Sequence, residues 1–197
     1  MKKMLIAAGL AGMLMPALAS AELDYDAFSV GFRTMTTSVG YVDTNYTEFG
    51  LGITKSVFKR VYLGASYVTG TQPATPTSAG RVVHSTTLGA GFHFPLNEDI
   101  DIIVPGHVFQ GTDMIPGSDA SASGYDIGAG IRAEMPYGLE GSAVAVYDNT
   151  SNDTYSNKDT YINAQLGFGF THEIQMYAGM DLFRDSKNID FGLRVFY

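Results

Sequence analysis

Histidine is where acid–base or metal chemistry would begin in this chain, because imidazole titrates near neutral pH and is the commonest metal ligand. The four histidines, His84, His93, His107 and His172, are scattered. Only His84-Ser85-Thr86 sets an imidazole beside hydroxyls. In an extended strand adjacent residues point to opposite faces, so His84 and Ser85 do not meet; His84 and Thr86 share a face, but no acid is spaced to orient the ring as a nucleophilic triad requires. No His, Asp or Glu cluster has metal-ligand spacing, and cysteine is absent, which removes disulfides and thiolate sites. The chain reads as non-enzymatic, with no catalytic residue, no metal site and no cofactor.

The remaining ionisable groups follow a pattern. Arg33, Glu48, His93, Asp101, His107, Asp126, Arg132, Glu134, Glu140, Asp181, Asp190 and Arg194 all fall on the polar side of segments that alternate with period two. Ten such segments are present. Phe28, Val30 and Phe32 oppose Ser29, Gly31 and Arg33; Phe49, Leu51 and Ile53 oppose Glu48, Gly50, Gly52 and Thr54; Leu63, Ala65 and Tyr67 oppose Tyr62, Gly64 and Ser66; Leu88, Ala90, Phe92 and Phe94 oppose Thr87, Gly89, Gly91 and His93. The sixth segment is the most regular, with Tyr125, Ile127, Ala129, Ile131, Ala133 and Met135 against Asp126, Gly128, Gly130, Arg132 and Glu134. Ile162 to Phe170, Met176 to Leu182 and Ile189 to Tyr197 repeat it. The fifth, Ile100 to Gln110, is irregular because Ile103 and Phe109 fall on the polar face and Pro105 cannot donate to a ladder. The seventh, Leu139 to Asn149, is ambiguous, since Val144 and Val146 share a face with Glu140 and Ser142.

Connections alternate in length. Phe58-Lys59-Arg60, Pro95 to Asp99, Pro136-Tyr137-Gly138 and Glu173-Ile174 are tight, whereas Thr36 to Asn45, Gly70 to Arg81, Thr112 to Ser123 and Thr150 to Asp159 are longer and polar; Asp185 to Asn188 is a short member of the second group. The amino terminus has Lys2 and Lys3, an apolar run from Met4 to Leu18 and small residues Ala19-Ser20-Ala21, the layout of a cleavable export signal. Residues 1–21 are expected to be removed and residues 22–197 to form one domain. Beyond that signal no apolar run reaches the ~18 residues of a membrane helix. The net charge of −8 argues against nucleic acid, whose phosphates call for Lys and Arg.

The chain ends Phe191-Gly192-Leu193-Arg194-Val195-Phe196-Tyr197, an alternating strand closing on an aromatic residue. With the export signal and the segments above, this resembles the small bacterial outer-membrane β-barrel proteins of eight to ten strands. The resemblance implies an all-β fold, a single antiparallel transmembrane β-barrel; the loop alternation favours ten strands, and eight remains open if the fifth segment and one of the last two are demoted. It also implies that Phe191, Leu193, Val195 and Tyr197 act as an assembly signal read by the barrel-insertion machinery, and that the partners are outer-membrane lipid and lipopolysaccharide around a monomer in a Gram-negative outer membrane. A soluble periplasmic sandwich is the rival fold, but it would leave glycine-rich faces to solvent, whereas inside a narrow barrel glycine makes room for Arg, Tyr and His.

In a barrel these charges face the lumen. Glu48, Asp126, Asp181 and Asp190 are expected near the external mouth with Arg33, and Arg132 and Arg194 near the periplasmic end with Asp101, Glu134 and Glu140. His93 and Asp101 are expected as inward neighbours across the hairpin at Pro95 to Asp99. Tyr67, Tyr125, Tyr161, Tyr177 and Tyr197 are candidates for the membrane interface. The function expected is envelope integrity or surface interaction through the external loops. Its alternative is a narrow cation-preferring, porin-like channel, and His84-Ser85 leaves an outer-membrane lipid hydrolase as a distant third.

Overall fold

Alternating sequences of this kind pair into sheets, and in the computed structural model they do so without a free edge. Residues 26–39, 42–74, 80–115, 118–152, 156–183 and 186–197 are described, so the expected export signal lies outside them. Ten strands follow in order: β1 (Ala27–Val39), β2 (Val42–Phe58), β3 (Val61–Gln72), β4 (Arg81–Pro95), β5 (Ile100–Ile115), β6 (Ser118–Met135), β7 (Leu139–Asn152), β8 (Ser156–Gly169), β9 (Ile174–Leu182) and β10 (Ser186–Phe196). Each pairs antiparallel with its sequence neighbours, and β1 closes the barrel on β10 from Ala27↔Phe196 to Thr37↔Ser186. The count is ten, which removes the eight-stranded alternative. Closure leaves the sheet no free edge, the condition for crossing lipid as sheet.

The period-two pattern becomes two environments. Phe28, Leu51, Leu88, Ile131, Leu166 and Phe191 point outward and are exposed, while Ser29, Arg33, Glu48, Asp126, Arg132 and Arg194 point inward and are buried. The ambiguous β7 takes the register that turns Val144 and Val146 inward with Glu140 and Asp148. In β5, Ile103, Pro105 and Phe109 also face the lumen. Pro105 lacks an N–H, and the β5–β6 ladder lapses between Ile103↔Gly130 and Gly106↔Ile127 before resuming in the same register.

Both described chain ends and the four tight turns lie at one end of the barrel, here the turn end. The turn at Pro136–Gly138 is a short 3-10 segment in which Tyr137 and Gly138 both have positive φ, 69° and 72°. A side chain at Gly138 would be strained there and would meet the Gly169 carbonyl at 3.1 Å. The opposite, hairpin end corrects the sequence expectation. Three stretches read as long loops are largely strand: pairing continues to Val39↔Val42, Ile115↔Ser118 and Ser151↔Ser156. Their Thr, Ser and Asn content resembles loop composition because these extensions rise beyond the apolar band, where neither face of the strand has to be lipophilic.

Candidate functional site

The inward side chains form two charged layers. Toward the hairpin end, Arg33 on β1 is the direct cross-strand partner of Glu48 on β2 and of Asp190 on β10. Its guanidinium donates to Asp181 Oδ2 on β9 at 2.9 Å, with both side chains fully buried. Asp181 also accepts from Asn163 Nδ2 at 2.7 Å and Asn188 Nδ2 at 3.2 Å, so one carboxylate gathers donors from three strands. Across the same layer His107 Nδ1 lies 2.6 Å from Asp126 Oδ1, and Asp148, the cross-strand partner of Asp126, accepts from the Thr150 hydroxyl at 2.9 Å.

Toward the turn end Arg132 on β6 lies 3.1 Å from Glu140, 3.7 Å from Asp101 and 3.8 Å from Glu134. Glu140 also accepts from Gln175 Nε2 at 3.1 Å. Arg194 on β10 donates to Gln175 and, at 3.1 Å, to Gln165, and its guanidinium stacks 4.9 Å above the Tyr177 ring. In this layer each arginine is held by acids or amides on neighbouring strands.

Between and around the layers the bore is filled. Tyr62, Ile103, Val144, Val146 and Tyr161 form a buried apolar cluster, with Phe183 packed against it at 4.4 Å from the Tyr161 ring. Glycine makes this filling possible: a Cβ at Gly91 would collide with the Tyr62 ring, at Gly89 with His107, and at Gly31 with the Tyr177 hydroxyl. The internal void beside Tyr62, His107, Tyr177 and Arg194 holds about 20 Å³, room for about one water. A larger basin of about 590 Å³ opens at the turn end, between the turn at Lys59-Arg60 and the turn at Glu98-Asp99, with Arg132 and Asp101 along it.

Several sequence expectations change here. Tyr161 and Tyr177, expected at the membrane interface, are buried inside the lumen, because each occupies the inward parity of its strand. Tyr67, Tyr125 and Tyr197 do face outward. His93 and Asp101 both point inward as diagonal rather than direct cross-strand neighbours: His93 pairs with Ile103, while Asp101 pairs with Pro95 and turns to Arg132. His84 faces outward and meets the Tyr67 hydroxyl at 2.9 Å through Nδ1, whereas Ser85 is buried on the lumen face. No hydrolytic His–Ser pair forms from these two residues.

Sequence reasoning missed Asp148, Asn163, Gln165, Gln175 and Asn188. Asp148 was legible by continuing the parity Glu140, Ser142, Val144, Val146 by one step. The amides stood on polar faces, but only a register shows that they converge on Asp181, Glu140 and Arg194. Among the described residues no group of three or more His, Asp and Glu side chains is arranged to hold a metal ion.

No family model matches the sequence, and no curated protein matches it. Solved structures do. The β domain of the Bordetella autotransporter BrkA aligns at TM-score 0.56 and 10% identity, covering 87% of this chain and 99% of that one. The translocator domain of the autotransporter NalP from Neisseria meningitidis aligns at 0.52 and 13%, covering 87% and 88%. An outer membrane channel from Pseudomonas putida F1 aligns at 0.50 and 13%, covering 88% and 98%. At such identities the likeness is one of architecture: this chain has the fold of the outer-membrane β-barrels.

Proposed function

We propose that this protein is an integral outer-membrane barrel with a filled lumen, acting in envelope integrity or surface interaction through its hairpin ends rather than by passing solutes. The observation that carries this reading is the pairing of a lipophilic exterior with a blocked interior. Leu88, Ile131, Leu166 and Phe191 are each more than half exposed on a closed barrel, which only lipid would cover. Inside, Arg33, Tyr161 and Val146 are at most 2% exposed, which supports a lumen closed at its middle among the described residues. The turn end, with both described chain ends, would face the periplasm, and residues 1–21 would be removed on export.

Fractionation and electrophysiology test this together. The mature chain should partition with outer membranes and migrate as a heat-modifiable band, since a closed ladder resists detergent until heated. In planar bilayers it should show no steady conductance. Recovery as a soluble periplasmic protein would refute membrane insertion. The cation-channel alternative draws on the excess of acids near the hairpin end. Reproducible single-channel steps, lost on Asp126→Asn with Asp190→Asn, would replace the filled barrel by that channel.

A further inference from the structure

The charged layer near the hairpin end is not balanced. Glu48, Asp126, Asp148, Asp181 and Asp190 are each at most 3% exposed. Among the described residues the fully buried arginine facing them is Arg33, which is bonded to Asp181 and stands between Glu48 and Asp190, and His107 stands against Asp126. On the other side of the lumen Asp126 and Asp148 are direct antiparallel partners with both carboxylates turned inward. Like charges so placed repel, at close range and out of water.

Each of these two carboxylates is half satisfied. His107 holds Asp126 Oδ1 and Thr150 holds Asp148 Oδ2. The other oxygens, Asp126 Oδ2 and Asp148 Oδ1, are buried with no hydrogen-bond donor. Independently of the acids, the phenol oxygen of Tyr161, a residue 2% exposed, is also buried and unpartnered. Tyr161 is the cross-strand partner of Val146, two residues from Asp148, and its oxygen lies within electrostatic reach of Asp126, Asp148, Asp181 and Arg33. Two carboxylate oxygens that can only accept or coordinate, and a phenol oxygen able to coordinate through its lone pairs, thus stand unpartnered in one buried layer among the described residues. Above them Asp159, partner of Asp148 across β7 and β8, extends the acidic row toward the hairpin end.

We propose that Asp126, Asp148 and Tyr161 form a binding site for a hard cation of the Ca²⁺ type, reached from the hairpin end of the barrel. Carboxylate and neutral oxygens are the ligands such ions take, and the ion would carry in with it the few waters that complete its shell. Two carboxylates give less ligand charge than a full calcium loop, which places the affinity in the weaker, submillimolar to millimolar class. Bound there, the ion ties β6 to β7 and β8 above the apolar band, replacing like-charge repulsion by a bridge.

Terbium tests the site directly, because its emission is sensitised by a tyrosine close to the bound ion. The full chain, refolded in detergent, should give tyrosine-excited Tb³⁺ emission that Ca²⁺ displaces, and Ca²⁺ should raise its thermal unfolding midpoint. Asp126→Asn with Asp148→Asn should reduce the emission at least about tenfold and abolish the Ca²⁺-dependent shift. Asp148→Asn alone, which keeps the Asp126–His107 pair, should leave the metal-free protein no less stable, since it removes a repulsion. Glu98→Gln with Asp99→Asn, at the turn end, should alter neither signal. If the double variant does not refold, Tyr161→Phe serves instead, losing sensitised emission while the Ca²⁺ shift persists in weakened form. Absence of both emission and shift up to about 10 mM Ca²⁺ at neutral pH would overturn the site and assign the neutralising charge to protons. Emission unchanged in the double variant would overturn it equally.

Discussion

Replacing Arg33 by Met tests whether the lumen is a dry, paired interior or a wet one. Arg33 is fully buried, its guanidinium is 2.9 Å from Asp181, and its cross-strand partners on both sides are the acids Glu48 and Asp190. Methionine keeps much of the length and removes the charge. Asp181 would retain its donors Asn163 and Asn188, but Glu48 and Asp190 would lose the positive charge between them. Breaking a buried pair by removing one partner costs about 3 to 5 kcal/mol, roughly two to four decades in the unfolding equilibrium. The assay is reversible urea unfolding in detergent micelles, followed by tyrosine fluorescence and by the heat-modifiable band. Lys55→Met is the reference, because Lys55 pairs with Asp26 in a largely exposed bridge of the kind worth at most ~1 kcal/mol. Asp181→Asn added to Arg33→Met should return part of the loss, so that the two changes are non-additive. A cost for Arg33→Met no larger than that for Lys55→Met would refute the reasoning, since it would mean that water screens the lumen charges.

Arg at Ile131 or Phe168 puts a charge on the outward face and should cost ~2 to 4 kcal/mol near the bilayer midplane, whereas Arg at Gly128 should block assembly by crowding, its Cβ alone falling 2.7 Å from Val144 and 3.1 Å from the Ala145 carbonyl; unimpaired folding of the first two in vesicles would reverse the face assignment. Tyr197→Ala should reduce delivery in cells more than refolding in detergent, because Tyr197 is exposed and its side-chain ties, a long bond from its hydroxyl to the Thr54 carbonyl at 3.5 Å and Lys55 over its ring, are modest; equal loss in both assays would make it a packing residue only. For Asp26 partial burial works against the charge, but the Lys55 hydrogen bond, the Ser56 N–H and the Lys55 charge outweigh it and hold the carboxyl below its ordinary range. Its folded-state value being depressed, the stabilisation is present above the unfolded value of about 3.9 and is lost as pH falls through the folded one. Asp26→Asn should therefore cost up to ~1 kcal/mol at neutral pH and low salt and nothing at a pH below that folded value, measured by urea midpoints across pH.

Much of this protein was legible before any register was known. Period-two alternation requires only the local chain, so Phe191, Leu193 and Val195 against Arg194, or Ile131 against Arg132, already separate an outward face from an inward one and call for a closed sheet. Glycine at Gly89, Gly91 and Gly128 marks the inward face by the same parity. What parity cannot convey is which residues on different strands share a level, because that depends on how each strand slides against the next. The parity of Ile162 and Met176 already turns Tyr161 and Tyr177 inward, but only the register seats them beside Val146 and Arg194, and the Thr- and Ser-rich stretches look like loops until pairing carries the strands through them. Asp126 and Asp148 are 22 positions apart in sequence; only the β6–β7 ladder makes them partners. The side-chain direction of every strand follows from chain chemistry, while the two charged layers, the filled bore and the acid pair beside Tyr161 follow from closure of the barrel, which brings distant residues to one height in a space water hardly enters.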